Sequence, residues 1–292
     1  MQCAICAGTN GTGHIFREMM FGTRSEFPYW ECNSCGCLQI VAPPNDLSSY
    51  YPEDYYAFSQ SANRWKTWYY KTHFIAPRLM RKIRRCSADI ASVIEAAPKK
   101  GARILDVGCG GGRLVEILRN LGFDAHGIDP FAASSNEFVK NATLENVDGG
   151  WDLIMFHHSL EHRLDQVQTL QEARNKLKTG GTCLVRIPVA TWAWQHYGRD
   201  WAQLDAPRHL IIHTPKSFWI AANSAGFATG RTIFDSNIFM LYASELYRRG
   251  IPLHGTEFRE KFSAEEMRAF GRRADEFNRQ GQGDQAAFIM RK

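Results

Sequence analysis

Two pairs of cysteines come first among the residues that could do chemistry. Cys3-Ala4-Ile5-Cys6 and Cys32-Asn33-Ser34-Cys35 are separated by residues 7–31. A spacing of two lets both sulfurs of a tight turn reach one tetrahedral ion, so Cys3, Cys6, Cys32 and Cys35 are expected to hold a structural Zn2+ in a small zinc-ribbon-like module. Gly8 and Gly36 suit turns that aim backbone amides at the sulfurs. Two disulfides are the alternative reading, and a reducing compartment weighs against it. Cys37 reads as a spare thiol, Cys86 and Cys183 as buried ones. With four protein ligands the ion has no open position, so it would stabilise a fold too small to build a core and would not catalyse.

The second constellation is a glycine turn. Residues 102–107 read as an apolar strand running into Gly108-Cys109-Gly110-Gly111-Gly112, then an amphipathic helix from Arg113 to Asn120 closed by Gly122. A second strand, 123–128, ends at Asp129. Strand, glycine turn, helix, strand and acid make up a doubly wound α/β unit, in which ligands bind at the carboxyl ends of the strands. The dinucleotide fingerprint does not fit, because its third glycine would fall on Arg113 or Val115.

What does fit is Asp106-x-Gly108-x-Gly110-x-Gly112, and here the chain resembles the class I S-adenosylmethionine-dependent methyltransferases. The resemblance implies a Rossmann-like seven-stranded α/β sheet. It implies that Asp106, Gly108, Gly110 and Gly112 border the cofactor, that Asp129 takes the ribose hydroxyls, and that Leu144 and Glu145 meet the adenine. Read from the residues alone, Asp129 could instead cap the turn at Pro130, and Glu145 could be a solvated loop acid.

Methyl transfer from a sulfonium needs an in-line approach and, for some acceptors, removal of a proton. A histidine can take that proton. A fourth strand, 151–156, delivers His158 and His162 within His157-His158-Ser159-Leu160-Glu161-His162, a segment similar to the Leu-Glu-His stretch of many small-molecule methyltransferases. Either ring could equally bond the backbone or line the cofactor. Downstream, Asp205-Ala206-Pro207-Arg208-His209 resembles a stretch of a subgroup that also carries an N-terminal cysteine ribbon and is often linked to polysaccharide, lipopolysaccharide or nucleotide-sugar modification. That resemblance would give Arg208 a phosphate or carboxylate to bind and His209 a proton transfer. The plainer reading pairs Arg208 with Asp205.

The remaining elements must position these residues. A third strand is expected within 138–144, and a helix begins at Asp165 with Gln168 as its capping-box partner and ends at Gly180-Gly181. Strands follow over 182–187, 228–234 and 285–290, the last antiparallel, with a helix over 218–225. The chain divides into a cysteine module (1–45), an aromatic and basic bridge (46–100) and a cofactor domain (101–292), whose helical insertion 237–283 is expected to cover the acceptor pocket.

At 292 residues, 44% hydrophobic and 22% charged, the chain can bury a large core. Its composition excludes collagen-like and disordered classes, and no window is apolar enough to span a membrane. The polar residues 1–10 lack a signal core, so a cytoplasmic location is expected. The net charge of +5 is local: residues 55–88 hold Arg64, Lys66, Lys71, Arg78, Arg81, Lys82, Arg84 and Arg85 and no acid. Residues 64–85 could therefore meet an anionic membrane or a phosphorylated substrate, or be a solvated helix face. The expected function is methyl transfer to a small molecule, with a sugar, nucleotide-sugar or glycan precursor suggested by the resemblance alone. The alternatives are an RNA methyltransferase gripping its target with ribbon and basic stripe, and a non-catalytic S-adenosylmethionine-binding scaffold.

Overall fold

The computed structural model describes residues 1–51, 88–132 and 137–292. The basic stripe 64–85, Cys86 and the aromatic residues between them lie outside the described residues. The cysteine-bearing end forms a small antiparallel sheet of β1 (Gly11–Arg17), β2 (Glu26–Cys32) and β3 (Leu38–Ile40). Its connection into β3 turns at Gly36, where φ is +75° and a Cβ would lie 2.7 Å from Thr214 Cγ2, so only glycine fits.

Helix α1 (Ala88–Ala96) leads into β4 (Arg103–Val107), α2 (Arg113–Asn120), β5 (Asp124–Ile128), β6 (Val139–Lys140) and β7 (Trp151–His157). After these come α3 (Gln166–Lys176), β8 (Leu177–Pro188), α4 (Trp192–Tyr197), β9 (Ile211–Ile212), α5 (Pro215–Ser224) and β10 (Gly230–Phe234). The chain ends with α6 (Ile238–Arg248), α7 (Phe258–Lys261), α8 (Ala264–Gln280) and β11 (Gln285–Arg291).

Seven strands form one sheet in the order β10-β11-β8-β7-β4-β5-β6, in which β11 is antiparallel to both neighbours and the remaining pairs are parallel. Its centre reads as a continuous apolar run, Leu153 to Phe156, because both faces are covered. Alternate residues split the core in two. Leu105, Ile154, Phe156 and Val185 pack with Leu170 of α3 and Phe218 of α5. Ile104, Leu153, Met155 and Leu184 pack with Val93 of α1 and with Val115 and Leu118 of α2. The chain leaves β4 toward β5 and β6, then returns to lay β7 on the opposite side, so the carboxyl end of β4 is the topological switch point where ligands bind such sheets.

Three expectations are corrected. The third strand is only Val139–Lys140, because the chain then rises into a 3-10 turn, Leu144–Asn146. The helix starting after Asp165 ends at Lys176, not at the glycines. Leu177 already pairs with Trp151, and Gly180 and Gly181 let the chain bulge out before Thr182 rejoins β7 opposite Leu153. A Cβ on Gly181 would lie 2.9 Å from the Lys178 carbonyl. Asp165 also makes no capping box with Gln168, since Arg163 takes both its carboxylate oxygens at 3.0 and 2.8 Å.

The cysteine-bearing sheet is not separate from the larger domain. β9 supplies its fourth strand, Leu38 pairing with Ile212 and Gln39 with Ile211. The helices of 237–283 pack on this side as well, joining Met19, Ala202 and Leu246 in one cluster and Leu241 to Trp201 and Phe16 in another.

Candidate functional site

A cavity of about 610 Å³ opens at the carboxyl ends of β4, β5 and β7. Gly108, Gly110 and Gly112 take φ values of +76°, +53° and +77°, which carry the chain around the mouth of β4. Gly108 and Cys109 donate their amides to the Ile128 carbonyl at 2.8 and 3.2 Å, fixing the turn to the end of β5. Side chains are excluded by contact too: a Cβ on Gly108 would lie 2.4 Å from Ser159 Cβ, and one on Gly112 would lie 2.4 Å from Val139 Cγ2.

Asp129 holds the turn from the far side. Its Oδ2 accepts the Gly110 amide at 2.9 Å and its Oδ1 accepts the Phe131 amide at 2.8 Å. Each carboxylate oxygen keeps a lone pair for a ligand hydroxyl, so turn-capping and ligand contact are compatible. Asp106 is 3% exposed, and its Oδ1 has no partner among the described residues. Burial, reinforced by the charges of Asp89 and Asp129, pushes its carboxyl up to about 8. Such a group is an incomplete pair that a cationic ligand would complete. Leu144 lines the cavity with Ala142 and Thr143. Glu145 does not, because the 3-10 turn directs its side chain to the exposed side.

The opposite wall is made of histidines. His157, His158 and His162 all line the cavity. His158, at φ +52°, accepts from the Arg186 guanidinium at Nε2 (2.7 Å), which leaves the proton on Nδ1, 3.3 Å from Glu161 Oε1. Neither ring nitrogen of His158 is left for an acceptor. His162 Nδ1 lies 2.8 Å from the Arg208 carbonyl and 3.1 Å from the Tyr51 hydroxyl. A carbonyl can only accept, so the proton sits on Nδ1 and the lone pair on Nε2. His209 is 6% exposed and stands behind His162, outside the cavity lining, with ring centroids 4.9 Å apart. Burial brings its imidazole down to about 4, so it is neutral at ordinary pH.

Arg208 is fully buried and spends its guanidinium on Asp205 (2.9 and 2.5 Å), Glu18 (3.0 Å) and the Tyr50 carbonyl (3.1 Å). The plainer reading of this residue is therefore the observed one; no guanidinium nitrogen is offered to a phosphate. Sequence reasoning missed Asp89 and Arg186. Asp89 lines the cavity from α1, and Arg186, 3% exposed on β8, joins it (3.1 Å) to Asp235 (2.6 Å) and His158. An arginine inside an apolar strand was the available signal, since a buried charge requires partners. None of residues 237–283 lines this cavity.

Away from the cavity, the four ribbon cysteines converge. Cys3 and Cys35 sulfurs are 3.7 Å apart, Cys6 and Cys32 sulfurs 3.5 Å, and all four lie within 4.8 Å of one another. A tetrahedron of sulfurs with Zn–S bonds near 2.3 Å has edges of about 3.8 Å, so the set fits zinc, while disulfide sulfurs would be about 2.05 Å apart. A side chain on Gly8 would crowd the cluster, its Cβ lying 2.9 Å from Ser34 Oγ and 3.3 Å from both Cys6 and Cys32 sulfurs. Cys37 is fully buried, its thiol 3.8 Å from the Leu38 carbonyl.

A seven-stranded sheet with an antiparallel β11, a glycine turn after β4 and an acid ending β5 defines a class of cofactor-binding α/β domain. Residues 72–229 match the family described as a methyltransferase domain, and the chain belongs to this family. Among curated relatives, it is 31% identical over 134 residues to a ubiquinone biosynthesis O-methyltransferase of Maricaulis maris, spanning 44% of this chain and 51% of that protein. It is 27% identical over 210 residues to the protein of the same name from Paraburkholderia phymatum, spanning 64% and 85%. The chain thus spans about half the length of the first of these. A solved structure of a SAM dependent methyltransferase from Archaeoglobus fulgidus aligns with 73% of this chain and 98% of its own at 19% identity, with a TM-score of 0.47.

Proposed function

We propose that this chain transfers a methyl group from S-adenosylmethionine to a small-molecule acceptor. One observation carries the reading: two acids, Asp106 and Asp129, flank a glycine turn at the switch point of the sheet and face one cavity. Bound there, the cofactor supplies a methyl group already activated on a sulfonium. Asp129 would take its ribose hydroxyls, the glycine turn would lie against its amino-acid end, and the unpaired Asp106 would take its ammonium. Leu144 supplies an apolar surface for the adenine. The acceptor would lie against the histidine wall, beside His162.

A cavity of about 610 Å³ is of ordinary size for small molecules. Relatives named for ubiquinone biosynthesis favour a small acceptor. A sugar, nucleotide-sugar or glycan acceptor remains the finer proposal, resting on the Asp205-to-His209 segment and the cysteine module. Arg208 plays no part in it. RNA binding, and contact with an anionic membrane or phosphorylated substrate, would fall to residues 64–85, outside the described residues. We also propose Zn2+ at Cys3, Cys6, Cys32 and Cys35, in a stabilising role.

Calorimetric titration with S-adenosylmethionine tests the pocket. Micromolar binding, weakened at least tenfold by Asp129→Ala, is expected; tight NADH binding in its place would overturn the proposal. Transfer of labelled methyl into separate small-molecule, lipid-linked glycan and RNA fractions then identifies the acceptor.

A further inference from the structure

We infer that Glu161, His162 and His209 form a second metal site, which takes a divalent first-row transition cation on the histidine wall of the cavity. One ligand atom from each residue can be chosen so that all lie within 4.8 Å of one another. Both imidazoles are held the same way. His162 Nδ1 meets the Arg208 carbonyl and His209 Nδ1 meets the Gln203 carbonyl, each at 2.8 Å. Each ring therefore carries its proton on Nδ1 and presents the Nε2 lone pair, the arrangement in which a backbone carbonyl orients a metal-binding histidine.

The carboxylate is the independent observation. Glu161 is 1% exposed, and its Oε2 has no hydrogen-bond partner among the described residues. Its Oε1 lies 3.3 Å from His158 Nδ1 and 4.0 Å from His209 Nε2. An anionic oxygen buried without a donor is costly, and a cation held by this carboxylate and the two imidazoles removes that cost. Arg208, the adjacent fixed cation, does not compete, because Asp205 and Glu18 occupy its guanidinium.

Two imidazoles and one carboxylate suit zinc, manganese or ferrous iron and leave coordination positions open. Metal–ligand bonds near 2.1 Å place neighbouring donors about 3.0–3.4 Å apart, so the side-chain ends must close by roughly an ångström. His162 lines the cavity while Glu161 and His209 stand behind it, so the site borders the space assigned to the acceptor. There a cation would bind acceptor oxygens. That role rests on the methyl-transfer reading; cation binding itself does not.

The test uses the full chain with its cysteine site loaded with zinc, and Mn2+ as probe, because manganese is poorly matched to thiolates. Electron paramagnetic resonance of free Mn2+ should show one ion bound per chain. His209→Asn keeps a donor toward the Gln203 carbonyl and removes Nε2; Glu161→Gln keeps size and removes charge. Each should weaken binding at least tenfold, whereas Cys3→Ser should not. Where a variant melts early, the wild type decides: bound Mn2+ should broaden the imidazole signals of His162 and His209 before those of His126 and His254. No stoichiometric Mn2+ binding, or broadening centred elsewhere, overturns the site. S-adenosylmethionine titrated into the same sample separates the proposals, since cofactor binding without Mn2+ binding removes the metal site and leaves the methyl-transfer reading standing.

Discussion

Tyr29 of the cysteine-bearing sheet donates its hydroxyl to the backbone carbonyl of His209 at 2.7 Å. This bond ties the small sheet to the segment behind the histidine wall. Thr214 Oγ1 adds a second tie, donating to the Cys35 carbonyl at 2.7 Å, and Lys216 Nζ a third, donating to the Ser34 carbonyl at 2.7 Å. Cysteine module and cofactor domain share strands and hydrogen bonds, so they should unfold together.

The first prediction follows from that sharing. Substituting Cys32→Ser, or stripping the Zn2+ proposed at the four cysteines, should lower the melting of the whole chain in one transition, with a loss above about 4 kcal/mol, the range associated with loss of structural metals. Scanning calorimetry checks this. A separate low-temperature transition with an unchanged main peak would show that the sheets are uncoupled.

Gly108 is expected to tolerate no side chain. Left-handed backbone costs a non-glycine residue about 1–2 kcal/mol, and the overlap with Ser159 Cβ about 1–3 kcal/mol more. Gly108→Ala should therefore lose roughly 2–5 kcal/mol in urea unfolding and abolish cofactor binding. In a double-mutant cycle with Ser159→Gly, only the overlap part should be recovered. Zero coupling would contradict the contact.

Asp106 should make cofactor binding proton-linked. With its carboxyl raised to about 8, it is mostly protonated at pH 7, and a ligand ammonium beside it favours the ionised form. Binding at pH 7 should release up to one proton, read as a dependence of the calorimetric enthalpy on the buffer's ionisation enthalpy. Asp106→Asn should remove that dependence. In the free chain the same shift means that the folded state binds more protons than the unfolded state between pH 3.8 and about 8, so this group's contribution to stability falls as pH rises through that window. If no proton is released, the ammonium lies elsewhere.

His213 works in the opposite sense. It is fully buried, with Nδ1 2.9 Å from Ser217 Oγ and Nε2 2.6 Å from Gln166 Oε1, and burial brings its imidazole from 6.5 down to about 3. The unfolded chain binds the extra proton between these values, so the stability His213 contributes is complete above pH 6.5 and is lost as pH falls toward 3. Between pH 7 and 5 the loss should be about 2 kcal/mol. His213→Gln should flatten the urea-unfolding profile by that amount, and an unchanged slope would count against it.

Spacing alone was enough for the glycine turn, for Asp129 at the end of β5 and for the two cysteine pairs. Each is a local device: a turn that demands positive φ, an acid one residue past a strand, and thiols two residues apart all act within a few residues of chain. Local patterning also placed α2, β7 and β11 to within a residue or two, because α2 carries an apolar face of helical period and β7 and β11 are short continuous apolar runs.

Tertiary structure decided what depends on partners remote in sequence. Arg208 pairs with Glu18, 190 residues away, and Arg186 with Asp89, 97 residues away. No window of sequence reports such a partner. Glu145 was lost to the cavity because a 3-10 turn, and not a strand, sets its direction. Glu161, His162 and His209 meet only because the end of β7 and the loop before β9 pack together, with Leu210 N donating to the Glu161 carbonyl at 2.8 Å. The sequence determined which kinds of group this protein carries and where its turns must be. Long-range packing of charged and polar side chains, whose burial is tolerated only when they are paired, decided which groups remain available to a ligand.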